Sequence, residues 1–135
     1  MKVFVAEYSK LVRERIISSF SGLEGIELTG EASDVPTAIS NMLSAKPDVV
    51  ILDIRMPGGN GLDVLRRVKL EHNAPKVIVL TNYSLPEYKE AAMELGADYF
   101  FDKSTEFEKV RMVLKKLLKG IGRIGDNILH RISNL

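Results

Sequence analysis

Short apolar runs alternate with amphipathic segments over most of the chain, and this alternation constrains the fold more than any other feature of the sequence. The most apolar runs are rich in Val, Ile and Leu and show little alternation of apolar with polar residues, which is typical of strands covered on both faces. The predicted strands are KVFVA (2–6), GIELTGEA (25–32), DVVILD (48–53), KVIVLT (76–81) and DYFF (98–101).

The segments between these runs have the apolar stripes of amphipathic helices, and Ser9 and Ser84 are predicted N-caps. Repeated β–α units predict a parallel sheet with helices on both faces. Because crossovers are right-handed, few topologies remain. We therefore predict an α/β fold, a flavodoxin-like (βα)5 three-layer sandwich whose five-stranded parallel sheet has the order 2-1-3-4-5. It would form one domain over residues 1–119, followed by an amphipathic tail or linker stump over residues 120–135.

The composition excludes several classes of function. The chain has 135 residues, a net charge of +1, two histidines and no cysteine, so disulfides and thiol chemistry are excluded and a zinc site is not expected. The small net charge gives no bulk attraction to nucleic acid or to a membrane. The N-terminus lacks the pattern of a signal peptide, and no apolar stretch is long enough to span a membrane. We expect a cytoplasmic protein without direct contact with nucleic acid or membrane.

Polar side chains follow the predicted strands at their carboxyl ends, where ligands bind in a sheet of this kind. Asp53 precedes a loop rich in glycine, which favours a functional site over a simple cap, since Asn60 is better placed to cap the next helix. A lysine at this rim can pair with Asp53, although most lysines are solvated surface charges. The strand-end residues are Glu7, Tyr8, Asp53, Thr81, Asp102 and Lys103.

The segments VVILDIRMPGGNGLDVL, KVIVLTNYS and GADYFFDKS resemble the receiver domain of bacterial two-component response regulators. The resemblance extends from residue 2 to about residue 118. It implies that Asp53 accepts a phosphoryl group from a histidine kinase or a phosphotransfer protein. The positions that carry it by their joint spacing are Asp53, Met56-Pro57, Gly61, Thr81 and Lys103.

The resemblance also implies roles for neighbouring residues. Thr81 and Lys103 match the hydroxyl and the ammonium that receive the phosphoryl oxygens. Phe100 matches the aromatic residue whose rotamer changes, together with Thr81, when the domain switches. The function implied is that of a phosphoprotein in phosphorelay signalling, which is not an enzyme beyond self-catalysed phosphotransfer and dephosphorylation. It would signal through contacts with an unknown downstream protein.

The sequence departs from the family at the metal site. The family has two adjacent acids after the first strand, where this chain has Glu7 and Tyr8. By resemblance, Mg²⁺ would be held by Glu7, Asp53 and the main-chain carbonyl of Arg55. A phenol is neutral at pH 7, so it replaces the missing carboxylate poorly. We therefore expect weak Mg²⁺ binding before phosphorylation, with Tyr8 either acting as a lid or simply packing over the rim.

Two other interpretations follow from the sequence. A receiver that no longer depends on phosphorylation would act as a protein–protein interaction module, with Tyr8 as the sign of decay. A nucleotide- or flavin-dependent enzyme of similar fold is disfavoured, because the turn AEYSK after the first strand has no glycine to approach a phosphate. Apolar residues recur at three–four spacing from Phe107 into the tail, so a homodimer through the last helix and tail is a further alternative.

Overall fold

The computed structural model describes residues 1–120 and shows strands alternating with helices over that range. The strands are β1 (Lys2–Ala6), β2 (Glu27–Ala32), β3 (Val49–Leu52), β4 (Lys76–Thr81) and β5 (Tyr99–Asp102). The helices are α1 (Lys10–Phe20), α2 (Val35–Ala45), α3 (Gly61–Val68), α4 (Pro86–Glu94) and α5 over residues 109–120. Of the predicted tail (residues 120–135) only Gly120, the last described residue of α5, is included, so the rest of the tail and any dimer formed through it lie outside the described residues.

The five strands form one parallel sheet of order β2-β1-β3-β4-β5. This confirms the flavodoxin-like topology predicted from the sequence. Ala6 of β1 lies beside Leu52 of β3, and Thr81 of β4 lies beside Asp102 of β5. The loops that follow these four strands therefore leave from the same carboxyl edge of the sheet, which brings their first residues together.

Each face of the sheet is covered by its own apolar layer. The layer that includes Phe4 and Val50 contains residues of α2, α3 and α4, and the layer that includes Val5 and Ile51 contains residues of α1 and α5. Neighbouring residues of a strand point to opposite faces. Because both faces are buried, the central strands need apolar residues at every position, which explains their continuous apolar runs.

Local capping chemistry decides where the helices begin. The Ser9 side chain accepts a hydrogen bond from the first turn of α1, as predicted, and Asn60 forms a reciprocal capping box with the first turn of α3. The predicted cap at Ser84 is wrong. Helix α4 starts at Pro86, which lacks an N–H and has its φ preset, while the Ser84 hydroxyl donates to the Asp102 carboxylate instead. No helix within residues 1–120 is long and apolar enough to cross a membrane.

An irregularity between β1 and β2 places Gly30 against Phe4. The register of the two strands shifts between Val3 and Phe4, and the hydroxyl of Thr29 donates to the carbonyl of Val3 at this point. A Cβ at Gly30 would lie 2.7 Å from Cε2 of Phe4, whose side chain is fully buried. The absence of a side chain at residue 30 therefore makes room for the Phe4 ring.

We expect Gly30→Ala to lower the free energy of unfolding by about 1–3 kcal/mol, because overpacking a buried ring forces side-chain and backbone shifts. Urea unfolding followed by circular dichroism measures the change. Gly22→Ala is the matched control, since no atom lies within 4 Å of a Cβ at Gly22. Equal losses of stability in the two variants would contradict this account of the Phe4 packing.

Candidate functional site

Asp53 is held at the carboxyl edge of the sheet by the loop between β3 and α3. Its N–H donates to the carbonyl of Ala6 on the neighbouring strand at 3.0 Å. The loop then turns back so that the N–H of Gly61 donates to the carbonyl of Ile54, and a Cβ at Gly61 would overlap the main chain of Asp53. Because only glycine permits this approach, backbone packing fixes Asp53 at the rim, where it is 7% exposed.

One ammonium group joins the two carboxylates of the rim. Lys103 Nζ lies 2.6 Å from Oδ2 of Asp53 and 2.7 Å from Oε2 of Glu7. None of the three side chains is more than 10% exposed. Removing one partner of a buried ion pair leaves a charge unpaired and costs about 3–5 kcal/mol. Lys103 therefore ties together the chain segments that follow β1, β3 and β5.

Glu7 has a strongly perturbed environment. Burial raises the pKa of Glu7 to about 7, the nearby Asp53 carboxylate acts in the same direction, and Lys103 opposes the shift. The second carboxylate oxygen of Glu7 accepts a hydrogen bond from the N–H of Ser9 at 3.3 Å. Glu7 is therefore partly protonated at neutral pH, so the free site carries less negative charge than its residue types suggest.

Tyr8 lies at the edge of an open cleft above Asp53. The Tyr8 residue is 63% exposed, and the Arg13 guanidinium fixes the main chain beside it by donating to the carbonyls of Glu7 (2.8 Å) and Tyr8 (2.9 Å). Tyr8 thus supplies no carboxylate to the site and leaves the cleft accessible. The cleft has a volume of about 520 Å³ and is lined by Glu7, Tyr8, Ser9, Val12, Asp53, Arg55, Met56, Pro57, Asn82 and Lys103.

Thr81 and Phe100 lie on the strands next in order after β3. Thr81 is fully buried, and its hydroxyl oxygen accepts a hydrogen bond from the N–H of Tyr83 at 3.1 Å. Phe100 is 8% exposed and belongs to the apolar layer that also contains Ala92 of α4. The structure therefore brings Glu7, Asp53 and Lys103 into direct contact, while the Thr81 hydroxyl is bonded to its own loop and the Phe100 ring points inward.

Sequence reasoning missed a stack of side chains beside this site. The N–H of Arg55 donates to Oδ1 of Asp53 at 3.3 Å, and its guanidinium carbon lies 4.7 Å from the centre of the Tyr83 ring. The Tyr83 and Tyr88 rings meet edge to face with centroids 6.1 Å apart. A signal was present in the sequence, because Arg55 and Tyr83 each stand two residues after a strand-end residue, Asp53 and Thr81.

The fold and the site define a class of protein: a small α/β domain with a buried carboxylate paired to a lysine at the carboxyl edge of a parallel sheet. A family model described as the response regulator receiver domain matches residues 3–115. The chain belongs to this family. Receiver domains are signalling modules of two-component systems, and a phosphorylated aspartate and Mg²⁺ at an acidic pocket are general features of the family.

The chain spans only part of the length of the curated relatives that it matches. The chain is 30% identical over 120 residues to the uncharacterized transcriptional regulatory protein YvfU of Bacillus subtilis (strain 168). This alignment covers 89% of the chain and 60% of YvfU. It is 31% identical over 137 residues to protein-glutamate methylesterase/protein-glutamine glutaminase 1 of Methanospirillum hungatei. That alignment covers 100% of the chain and 37% of the methylesterase. Neither the regulatory nor the enzymatic name of these relatives therefore carries over to this chain.

Solved structures agree with the family assignment. The isolated REC domain of RcsB from Salmonella enterica serovar Typhimurium, determined in the presence of the phosphomimetic BeF3−, matches with a TM-score of 0.81 at 27% identity. The match covers 89% of each chain. The sheet order and the helix layers described above are thus those of a receiver domain.

We expect Glu7→Gln to remove much of the pH dependence of stability. Because the folded pKa of Glu7 lies above its ordinary value of 4.5, the folded chain keeps a proton that the unfolded chain loses between pH 4.5 and about 7. The unfolding free energy of the wild type should therefore fall by about 1–3 kcal/mol as the pH rises through this range. Urea unfolding of both proteins at pH 5 and pH 8 measures the effect, and parallel pH profiles would contradict it.

Proposed function

We propose that Asp53 accepts a phosphoryl group from the phosphohistidine of a kinase or phosphotransfer protein, and that the new charge switches the protein contacts of this chain. The observation that carries the proposal is the Asp53 carboxylate in an open cleft with Lys103 Nζ 2.6 Å away. A carboxylate can act as a nucleophile, and phosphoryl transfer depends mainly on positioning and on nearby positive charge. The site offers both.

The transfer balances without a further reactant. An Asp53 carboxylate oxygen forms the new O–P bond while the N–P bond of the phosphohistidine breaks, and the electron pair of that bond stays on the imidazole, which takes up a proton from water. Lys103 offers its charge to the phosphoryl oxygens, and Glu7 keeps the ammonium at the rim. Later attack by water on phosphorus releases inorganic phosphate and restores the Asp53 carboxylate.

The oxygen donors of the cleft fit Mg²⁺, which prefers carboxylates, carbonyls and water. The Glu7 and Asp53 carboxylates and the main-chain carbonyl of Arg55 would hold it, and its charge would stabilise the phosphoryl group. Tyr8 leaves this set one carboxylate short. Over residues 1–120, no three side chains of His, Cys, Asp or Glu are grouped to hold a metal ion, which supports weak binding before phosphorylation.

Thr81 and Phe100 form the proposed switch. In the free chain the Thr81 hydroxyl oxygen accepts a hydrogen bond from the N–H of Tyr83 at 3.1 Å. On phosphorylation its O–H would turn to donate to a phosphoryl oxygen. Phe100 would then move toward the space that Thr81 leaves. The change would reach a downstream protein through the face made by α4, β5 and α5. We place this receiver in residues 1–119, with residues 120–135 as a separate tail.

Acetyl phosphate with Mg²⁺ is expected to add one phosphoryl group to the wild type and none to Asp53→Asn, because the side-chain amide of asparagine does not act as a nucleophile toward phosphorus. Intact-mass spectrometry counts the groups. Asp63→Asn is the control, since Asp63 lies on α3 with its side chain 51% exposed, and it should be modified like the wild type. An unmodified wild type would refute the proposal and favour the phosphorylation-independent interaction module.

Tyr8→Asp is expected to tighten Mg²⁺ binding to the free chain by about tenfold or more, because a second carboxylate beside Glu7 adds a charged oxygen ligand. Tyr8→Phe removes only the hydroxyl and should bind Mg²⁺ like the wild type. A titration followed by the amide NMR signals of residues 53–56 gives the two dissociation constants. If Tyr8→Asp binds Mg²⁺ no better than the wild type, the missing acid does not limit the affinity.

A further inference from the structure

The Arg55 side chain stands between two clefts. It lines the cleft above Asp53, together with Lys103, and it also lines a second cleft of about 260 Å³ that contains Tyr83 and Tyr88. In the free chain the guanidinium lies over the Tyr83 ring at 4.7 Å. The main-chain N–H of Arg55 donates to Oδ1 of Asp53. The main chain of Arg55 is therefore held next to the carboxylate that would receive the phosphoryl group.

The Tyr83 ring also contacts helix α4. Tyr83 meets Tyr88 edge to face at an interplanar angle of 78°, and Tyr88 lies in the first turns of α4 and packs against the apolar layer beneath it. A continuous chain of contacts therefore runs from the neighbour of Asp53, through two rings, to the helix. Each of these contacts joins side chains that are exposed or half-buried and so have room to move.

We propose that Arg55 senses the charge on Asp53: the guanidinium leaves the Tyr83 ring for the phosphoryl oxygens, and the Tyr83–Tyr88 contact at the start of α4 loosens. The inference rests on the proposed function of Asp53 and adds a route by which its charge reaches α4. This route uses side chains other than those of Thr81 and Phe100, which line neither of the two clefts.

The Arg55 guanidinium binds phosphoryl oxygens more strongly than it binds the Tyr83 ring, and the difference can drive this change. A cation over an exposed ring gains little, because water screens the attraction. A phosphoryl group offers oxygens with two negative charges, and guanidinium–phosphate hydrogen bonds are charge-assisted and often bidentate. Before phosphorylation the Asp53 carboxylate is already paired with Lys103, so the ring is the better partner. After phosphorylation the transferred group presents three charged oxygens with several lone pairs each, so Arg55 finds an acceptor there even beside Lys103 and a bound Mg²⁺.

Tyr83 also links this movement to the hydroxyl of Thr81. The N–H of Tyr83 donates to Oγ1 of Thr81, so the same residue carries the ring under Arg55 and holds the threonine. When the ring loses its cation, the loop between β4 and α4 loses one of the contacts that fix it. Release of Arg55 therefore favours release of Thr81, and the two responses to phosphorylation are expected to occur together.

The test uses the full chain with beryllofluoride and Mg²⁺ as the phosphoryl mimic. NMR follows the Arg55 Nε–H signal and the amide shifts of residues 86–94 before and after saturation. Arg55→Met keeps the main-chain carbonyl and the length of the side chain but removes the charge, and Tyr83→Leu removes the ring but keeps every charged group of the site. Tyr83→Phe keeps the ring, and Arg66→Met removes an exposed arginine of α3, so both serve as controls.

In the wild type we expect the Arg55 signal to shift on binding, and we expect the response of residues 86–94 to fall at least twofold in Arg55→Met and in Tyr83→Leu but not in the controls. A full response in either variant overturns the inference while leaving the role of Asp53 intact. If Arg55→Met does not reach saturation, Tyr83→Leu decides alone. A wild type that neither binds beryllofluoride nor gains mass with acetyl phosphate refutes the proposed function, and the inference with it.

Discussion

The shared pairing of Lys103 with Glu7 and Asp53 is the interaction on which the site depends. Two carboxylates at the edge of an apolar sheet would repel each other and would lose their hydration, and the ammonium group between them offsets part of both costs. The same ammonium is the charge that a transferred phosphoryl group would meet first. In the proposed function, one lysine thus serves both the stability of the free chain and the chemistry of the phosphorylated chain, and Glu7 keeps it in place for both.

The sheet explains why this interaction occurs at its carboxyl edge and nowhere else. Both faces are covered by helices, so polar side chains along the strands would lack partners. Within residues 1–120 the buried polar or charged residues are Glu7, Asp53 and Thr81, and all three lie at or just past the end of a strand. No buried side-chain nitrogen or oxygen atom of the described residues lacks a hydrogen-bond partner. The polar side chains that the fold buries are therefore those of the candidate site.

The fold could be predicted because continuous apolar strands and intervening helices admit few arrangements. The contact between Lys103 and Asp53 could also be anticipated, since both follow strands that end at the same edge of the sheet. Arg55 and Tyr83 each stand two residues past a strand end, which indicates that both lie at this rim, but their stacking could not be predicted because side-chain positions on loops depend on contacts distant in sequence. The cap predicted at Ser84 failed for a similar reason, since a carboxylate from another loop binds its hydroxyl. Prediction was thus most accurate where burial determines the position of a residue, and least accurate for loop side chains that can contact several alternative partners.

The most direct measurement is a crystal structure of the chain grown with beryllofluoride and Mg²⁺. The account predicts density for the mimic on the Asp53 carboxylate, with Lys103 Nζ moved to within hydrogen-bond distance of a fluorine. It also predicts that the Tyr8 ring stays at the edge of the cleft. A structure in which the cleft above Asp53 is filled by the Tyr8 ring, and in which Lys103 still bridges both carboxylates, would contradict it.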